Sequence, residues 1–226
     1  MSTVSQPQTN NFVYNPPLSP YLTVIFQDED LLVLDKQAGL LSVPGKAAEH
    51  KDCLETRAQQ QFTDATTVHR LDMDTSGVMV MARNKAAHRH LGLQFEKRYT
   101  HKTYYARVWG QMQAEEGIVD LPLRCDWPNR PKQMVDHALG RQAITHYKVL
   151  ARETQTTFVE LKPVTGRSHQ LRVHMLALGH PIVGDRFYAT GSALSFSSRL
   201  QLHAGELSFR HPVGGSELRF SSKCPF

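Results

Sequence analysis

Two short segments of the chain concentrate side chains that can do acid–base or nucleophilic chemistry. The first, HRLDMDTSG from His69 to Gly77, puts a histidine, an arginine and two aspartates directly before an apolar run. Loops that a rigid strand holds in place often carry functional side chains. An ionised aspartate there can serve as a base or as a nucleophile. The alternative is structural, because aspartates also cap turns, and Asp74 fits that role better than Asp72 since it precedes Thr-Ser-Gly.

The second segment, TGRSHQLRVH at 165–174, combines a glycine with two arginines at the start of a predicted helix. Gly166 permits a close approach of the backbone. The free amides at a helix start bind phosphates and carboxylates, as arginine does. An arginine from this segment beside Asp72 would favour the ionised carboxylate. The alternative is an ordinary capped helix whose arginines, Arg167 and Arg172, face solvent.

Signals for a metal or a nucleotide cofactor are missing from the sequence. Although the chain has 12 histidines, it contains neither H-E-x-x-H nor C-x-x-C. His169 and His174 are five residues apart, which separates them by about 140° around a helix. G-x-G-x-x-G and G-x-x-x-x-G-K are absent as well. The sequence therefore predicts chemistry by side chains alone, without a metal ion or a cofactor.

Composition predicts an ordinary globular protein with a basic surface. A hydrophobic fraction of 40% and a charged fraction of 21% in 226 residues argue against disorder. The net charge of +5 and the pI of about 9.2 fit a polyanionic partner such as nucleic acid, although they also fit simple solubility. Three scattered cysteines favour reduced thiols. Because no secretory signal and no apolar run of about 20 residues occur, we expect a cytoplasmic protein that does not span a membrane and is by default a monomer.

Strands dominate the predicted secondary structure, and no regular β-α-β alternation is present. Residues 1–20, which are polar and contain several prolines, are expected to form a flexible tail along the surface, followed by one domain at 21–226. Strands are expected at 21–27, 31–36, 77–83, 101–110, 143–152, 157–164, 200–210 and 217–220. Helices are expected at 53–62, at 85–98 with Asn84 as N-cap, and at 168–178. This order predicts an α+β fold with a mostly antiparallel or mixed central sheet, flanking helices and a cleft.

The last of these helices is predicted from a capping residue, apolar spacing and a terminal glycine. Ser168 can accept a hydrogen bond from a free amide of the first turn. Leu171, Met175 and Leu178 recur at helical spacing and are expected to face the core. Gly179 is expected to end the helix.

Four ordered motifs of the chain resemble those of the RluA family of RNA pseudouridine synthases. HRLDMDTSG resembles the family's H-R-L-D-x-x-T-S-G, and GRSHQLRVHM resembles its G-R-x-H-Q-[IL]-R-V-H. GHPIVGDRFY is similar to its G-H-P-I-x-G-D-x-x-Y, and DEDLLVLDKQAGLLSVPG is similar to its opening hairpin and loop. One departure is Ala189, where family members often carry glycine. The resemblance implies the pseudouridine synthase fold, with 21–226 as the catalytic domain and no room before it for an S4-type RNA-binding domain.

The resemblance also implies roles for individual residues. Asp72 matches the catalytic aspartate, and Arg172 matches the arginine that pairs with it. Tyr104 matches the tyrosine that stacks on the target uracil and takes the C5 proton. Its strand places it on the same face as Ala106, so a buried core tyrosine is the alternative. Arg70 matches the arginine that enters the RNA as the target base leaves the stack.

Three further residues are expected to bind RNA beside these. His69, Arg167 and Lys102 are expected to line a basic cleft that holds the RNA backbone. The segments DWPNRPKQ at 126–133 and YYARVWG at 104–110 resemble the family member that acts on both transfer and ribosomal RNA. The expected substrates are therefore loop uridines in transfer RNA anticodon arms and in a 23S ribosomal RNA hairpin.

Several alternatives stay open at the level of sequence. A basic and aromatic chain can bind RNA without any catalysis. A hydrolase can use Asp72 and Asp74 as paired carboxylates on a glycosidic bond, because residues two apart in an extended segment point the same way. If the chain is a pseudouridine synthase, Asp72 either abstracts a proton at C2′ or attacks C1′.

Overall fold

Alternating and continuous apolar stretches form twelve strands in the computed structural model, which describes residues 13–226. Ten strands make one sheet and two make a separate hairpin. The strands are β1 (Val24–Gln27), β2 (Leu31–Lys36), β3 (Thr66–Thr67), β4 (Ser76–Ala82), β5 (His101–Trp109), β6 (Glu116–Asp120), β7 (Leu123–Cys125), β8 (Gln133–Val135), β9 (Ile144–Arg152), β10 (Thr156–Pro163), β11 (Leu202–Arg210) and β12 (Glu217–Ser221). The helices are α1 (Leu54–Gln59), α2 (Lys85–Glu96), α3 (Gln170–Ala177) and α4 (Gly191–Ser195), with short 3₁₀ helices at Ala48–His50 and Trp127–Asn129.

The large sheet is mixed and mostly antiparallel, which confirms the predicted α+β fold. Its strand order is β1-β2-β4-β11-β5-β10-β9-β6, with β3 beside β4 and β12 beside β11. Among the strands that the structure describes, β4 and β11 are the only parallel neighbours. The predicted hairpin at the start of the domain is present as β1 and β2.

The parallel contact between β4 and β11 depends on a glycine. Gly77 pairs with Ala204 and has a φ of 116°, in the region that L side chains rarely adopt. A Cβ atom at this position would lie 2.2 Å from the carbonyl oxygen of Ala204. The close approach therefore requires glycine, and it joins the two halves of the sheet beside the turn that carries Asp72.

Both faces of the central strands are covered, which explains why β4 is apolar along its whole length. Helix α1 packs over one face and helix α2 over the other. The strand residues involved are Leu32, Leu34, Met79 and Met81 on the α1 side, and Leu31, Val33, Val78 and Val80 on the α2 side. A third cluster joins β5, β9 and β10 to α3. Tyr104 packs against both this cluster and the α1-side cluster, so it lies where the two halves of the core meet.

The helix predictions are confirmed at α2 and partly wrong at α3. Asn84 caps α2, because its side-chain oxygen accepts a hydrogen bond from the amide of Ala87 at 2.9 Å. Ser168 does not cap α3, whose N-cap is His169 in the left-handed conformation with a φ of 53°. Instead the side-chain oxygen of the buried Gln170 accepts the Arg167 amide and so closes the turn before α3.

The predicted apolar stripe of α3 is confirmed for two of its three residues. Leu171 and Met175 are buried against the third cluster. Leu178, the C-cap residue directly after the end of the helix at Ala177, is 37% exposed. Gly179, with a φ of 83°, ends the helix as expected.

The predicted tail lies only partly within the described residues, since 1–12 fall outside them. Over 13–20 the chain contacts the region around α1. The hydroxyl of the buried Tyr14 donates to the carbonyl of Asp52 at 2.8 Å, and Arg57 donates to the carbonyl of Pro17 at 2.8 Å. Within the described part of the chain, no helix is both long and apolar enough to cross a bilayer.

Candidate active site

A cleft of about 1060 Å³ opens where the two halves of the core meet. Its walls come from the turn before β4, from β5 and from the segment that leads into α3. Asp72, Tyr104 and Arg172, the three residues that the sequence singles out for catalysis, all line it, as do the four expected RNA-binding residues His69, Arg70, Lys102 and Arg167. A volume of this size is at the upper end for sites that enclose a small organic ligand.

Hydrogen bonds from an earlier loop fix the turn that carries Asp72. The hydroxyl of the buried Ser42 donates to the carbonyl of Leu71 at 2.7 Å and accepts from the Leu71 amide at 3.2 Å. The carbonyl of Met73, two residues further along the turn, accepts from the amide of Gly39 at 2.9 Å. The loop 39–45 therefore sets the position of the aspartate.

The fully buried Lys36, at the end of β2, ties the same loop to the turn. Its ammonium donates to the carbonyls of Gln37, Leu40 and Met73 at 2.6–2.8 Å. Burial lowers the pKa of Lys36 to about 7, against the attraction of Asp74 and Asp72. We infer that Lys36 is a structural support of the site, which the sequence analysis missed because a strand-end lysine normally faces water.

Arg172 is the buried cation that forms an ion pair with the carboxylate of Asp72. One terminal nitrogen of Arg172 donates to Asp72 Oδ2 at 3.1 Å. The other side of the guanidinium binds Asp185 in a bidentate pair, with both distances 2.7 Å. Burial by itself would lower the pKa of Arg172, but the hydrogen bonds and charges of Asp185 and Asp72 raise it. The guanidinium therefore stays charged and cannot rotate away from Asp72.

Asp185 is the anchor of this network, and the sequence analysis did not select it. Its side chain is fully buried and also accepts the amides of Phe187 and Tyr188. Four donors thus converge on one carboxylate, which is how a buried charge is normally satisfied. The segment GHPIVGDRFY was identified only by its resemblance to the family motif. Nothing in the spacing of its residues predicts that Asp185 binds Arg172.

Tyr104 presents its ring to the cleft from β5. The side chain is half-buried, and its hydroxyl has no hydrogen-bond partner among residues 13–226. Burial and the negative charge of Asp72 raise the pKa of Tyr104, so the hydroxyl keeps its proton at neutral pH. The ring is therefore free to contact a ligand in the cleft.

The expected RNA-binding residues are placed in two different ways. His69 is held by the fold, because its Nε2 accepts the Val80 amide at 3.1 Å and its ring stacks on Phe95 at 4.4 Å between centroids. Burial and the charge of Lys102 lower the pKa of His69 to about 3, so the ring is neutral. Arg70 is exposed at the cleft, and within the described chain neither it nor Lys102 has an ion-pair partner.

The second aspartate of the turn faces a different partner. Asp74 forms an ion pair with Arg186 at 3.0 Å and does not line the cleft. Asp72 and Asp74 are therefore not presented together to a ligand, as the hydrolase alternative requires. The structural role that the sequence favours for Asp74 agrees with this arrangement.

Comparison with known proteins gives a consistent result. The sequence profile of the RNA pseudouridylate synthase family matches residues 30–177. The dual-specificity RNA pseudouridine synthase RluA of Vibrio vulnificus is 57% identical over 204 residues, which cover 88% of this chain and 82% of the relative. The protein of the same description from Escherichia coli (strain K12) is 54% identical over 214 residues, which cover 94% and 98%.

A solved structure shares the fold. Human RNA Pseudouridylate Synthase Domain Containing 1 superposes with a TM-score of 0.76 at 30% identity, covering 91% of this chain and 84% of the human one. Family profile, close relatives and fold agree with the motifs around Asp72 and Arg172. The chain therefore belongs to the RNA pseudouridine synthase family, a family of isomerases.

Proposed function

We propose that this chain converts loop uridines to pseudouridine in two kinds of RNA, transfer RNA anticodon arms and a 23S ribosomal RNA hairpin. The observation that carries the proposal is the carboxylate of Asp72, held by Arg172 inside a cleft large enough for an extruded nucleotide. The dual specificity is supported by the description of the relatives that are 54–57% identical to this chain.

The reaction breaks the bond between N1 and C1′, turns the uracil and rejoins it through C5. No group is added and no redox change occurs, so we propose that the enzyme works without a cofactor. The target base first leaves its stack, which costs a few kcal/mol and is cheapest in a loop. Arg70, which is exposed and lines the cleft, is proposed to enter the space that the base leaves. Tyr104 then stacks on the uracil with its hydroxyl protonated, since partial burial and the charge of Asp72 raise its pKa.

Asp72 is proposed to act on the sugar. As an ionised group it either abstracts a proton at C2′ or attacks C1′, and the charge of Arg172 holds it in place for both routes. The proton at C5 that the new bond displaces is proposed to pass to the oxygen of Tyr104 as its own hydroxyl proton passes to water in the cleft, and N1, freed when its bond to C1′ breaks, gains one proton. These roles follow the family's motif residues, each of which lines the same cleft.

The charge of the cleft supports an RNA substrate. Among the described residues, its lining holds six cationic side chains, Arg70, Arg98, Lys102, Arg130, Arg167 and Arg172, against two acidic ones, Asp72 and Glu96. Each phosphate that a cation neutralises releases counterions and strengthens binding. Beside the cleft, the 3₁₀ helix Trp127–Asn129 exposes Trp127, with the guanidinium of Arg130 4.6 Å from its ring centroid. This pair offers a stacking surface for an unpaired base.

The test is to incubate the protein with transcripts of both RNA types and map pseudouridine by carbodiimide labelling. We expect one loop uridine in each transcript to become labelled while the mass of the RNA stays the same. Modification of neither transcript would contradict the proposed substrates. Release of free uracil would contradict isomerisation itself and favour the hydrolase alternative.

The charge of Lys102 predicts that RNA affinity depends on pH. Burial and the neighbouring charge of Arg98 lower the pKa of Lys102 to about 8. The ammonium is therefore present at pH 7 and is lost as the pH rises through about 8. If Lys102 holds a phosphate by a charged hydrogen bond worth about 1.5 kcal/mol, RNA affinity should fall about fivefold between about pH 7 and about pH 9.

The matched control is Lys102→Arg, since arginine keeps its charge throughout this range. Dissociation constants from filter binding should be nearly constant with pH for this variant. Lys102→Ala should bind weakly at every pH and reduce the salt dependence of log K by about one. An equal fall in affinity for the parent and for Lys102→Arg would show that another group titrates.

The remaining features of the proposal concern assembly and environment. We propose a cytoplasmic monomer, and the free state of all three cysteines supports a reducing compartment. We propose that no metal takes part. Three possible ligands do come together in Asp28, Asp30 and His211, but this group does not line the cleft.

A further inference from the structure

A chain of hydrogen bonds fixes the orientation of one histidine beside Asp72. His169 Nδ1 lies 2.6 Å from the hydroxyl of Tyr188, and that hydroxyl accepts the amide of Gln133 at 2.8 Å. Tyr188 is buried, so its own proton needs an acceptor. The acceptor within reach is Nδ1, which leaves the ring proton on Nε2. Burial lowers the pKa of His169, so the ring is neutral at pH 7 with Nε2–H as its donor.

This donor faces the proposed catalytic carboxylate across a gap. Nε2 lies 3.8 Å from Oδ2 of Asp72, too far for a direct hydrogen bond. Arg172 already donates to the same oxygen at 3.1 Å. Both His169 and Asp72 line the cleft. The site therefore holds a donor and an acceptor side by side, and their separation fits one ligand oxygen with a hydrogen bond of about 2.8 Å to each.

The backbone and the neighbouring rings show that this orientation is imposed. His169 has a φ of 53°, which is uncommon for a residue other than glycine. Its ring stacks on Phe187 with 5.7 Å between centroids and meets Tyr188 edge-on. Strained conformations that the surrounding structure enforces are concentrated at functional sites. The His169 side chain makes no capping hydrogen bond to α3 and points toward Asp72 instead, so capping does not explain its orientation.

A hydroxyl is the chemical group that suits this gap, because one oxygen can accept from Nε2–H and donate to the carboxylate. A carbonyl or a phosphate oxygen has no proton for Asp72, and an ammonium cannot accept from the histidine. On the proposed function, Asp72 acts at C1′ or C2′ of the target uridine. For either route, the nearest substrate hydroxyl is the one at C2′.

We propose that His169 and Asp72 together bind the 2′-hydroxyl of the target uridine, and that this pair selects ribose over deoxyribose. His169 thereby contacts the substrate, and Tyr188 positions it by fixing its tautomer. The inference depends on the proposed function, because it requires the target nucleotide to sit over Asp72. His169, which has no role in the reaction steps proposed above, would thus recognise RNA at the reacting sugar.

The test combines a change in the protein with a change in the RNA. Two stem-loops are compared in single-turnover reactions, one natural and one with 2′-deoxyuridine only at the target position. We expect the parent protein to lose at least about tenfold in the rate or affinity for the deoxy substrate, because the hydrogen bonds to His169 and to Asp72 are both lost. His169→Phe keeps the ring stack but removes both nitrogens. It should lose about threefold on the natural RNA, and its deoxy penalty should be about threefold smaller than that of the parent, because only the hydrogen bond to Asp72 is left to lose.

Three controls separate the possible failures. His169→Asn tolerates the left-handed conformation and should behave like His169→Phe if the latter is unstable. His180→Phe alters a histidine that does not line the cleft and should keep the full deoxy penalty. Tyr188→Phe should lower the natural rate in part, because the tautomer is no longer fixed.

The outcomes distinguish this inference from the proposed function. Conversion of the natural RNA with the same deoxy penalty in the parent and in both His169 variants would overturn the inference and leave the function standing. The same holds if the parent shows no deoxy penalty. If the parent converts neither RNA, the proposed substrate is wrong and the inference falls with it.

Discussion

Replacing Asp72 by asparagine is expected to abolish pseudouridine formation while RNA binding survives. Loss of the proposed base or nucleophile should lower the single-turnover rate at least about 10⁴-fold. The variant removes the acidic group from a cleft lined mainly by cations, so affinity for RNA should stay the same or rise. The bidentate contact of Arg172 with Asp185 remains, so the free energy of unfolding should change by no more than about 1 kcal/mol.

The neighbouring aspartate provides a matched control. Asp74→Asn removes the same charge two residues away, but Asp74 pairs with Arg186 and does not line the cleft. This variant should keep most of the activity of the parent. Full activity in Asp72→Asn would refute the assignment. Equal loss of RNA binding and product would instead favour a protein that binds RNA without catalysis.

The fold was largely predictable because its strands carry strong apolar patterns. β4 is apolar throughout, and both of its faces are buried. The alternation of Tyr104, Ala106 and Val108 matches the side of β5 that meets the third cluster. The strands β3, β6, β7 and β8, which have two to five residues each, were not predicted. Strands of this length bury too few side chains to show the alternation of apolar and polar residues that predicts a strand. Their pairing also depends on strands distant in the sequence.

The site was predictable only in part, for a different reason. Asp72, Arg172 and Tyr104 were identified by resemblance to family motifs, and the structure brings them to one cleft. The side chains that hold them were not identified. Asp185 acts through a bidentate contact with Arg172, and no local pattern reports a contact between a helix and a later loop. Ser168 satisfied the local rule for a cap, but the N-cap is the left-handed His169, whose ring lines the cleft.

Replacing Asp185 by alanine is expected to cause the largest loss of stability of any change considered. Its carboxylate is fully buried and accepts two hydrogen bonds from Arg172, whose side chain is only 2% exposed. Removing one partner of a buried ion pair leaves an uncompensated charge and costs about 3–5 kcal/mol. The free energy of unfolding in urea should fall by this amount. Activity should fall at least about 100-fold, because Arg172 no longer holds Asp72 in one position.

A double variant separates the loss of stability from the loss of activity. In Arg172→Met/Asp185→Leu both charges are replaced by apolar side chains of similar size, and such replacements of buried pairs are often neutral or stabilising. We expect the double variant to recover part of the lost free energy of unfolding, because the amides of Phe187 and Tyr188 still lack their acceptor, and none of the activity, since Asp72 still lacks its cation. Arg186→Ala removes an exposed arginine that pairs with Asp74 and should change stability by less than about 1 kcal/mol. If the folded double variant regained activity, the guanidinium would be needed for folding alone and the catalytic pairing with Asp72 would be wrong.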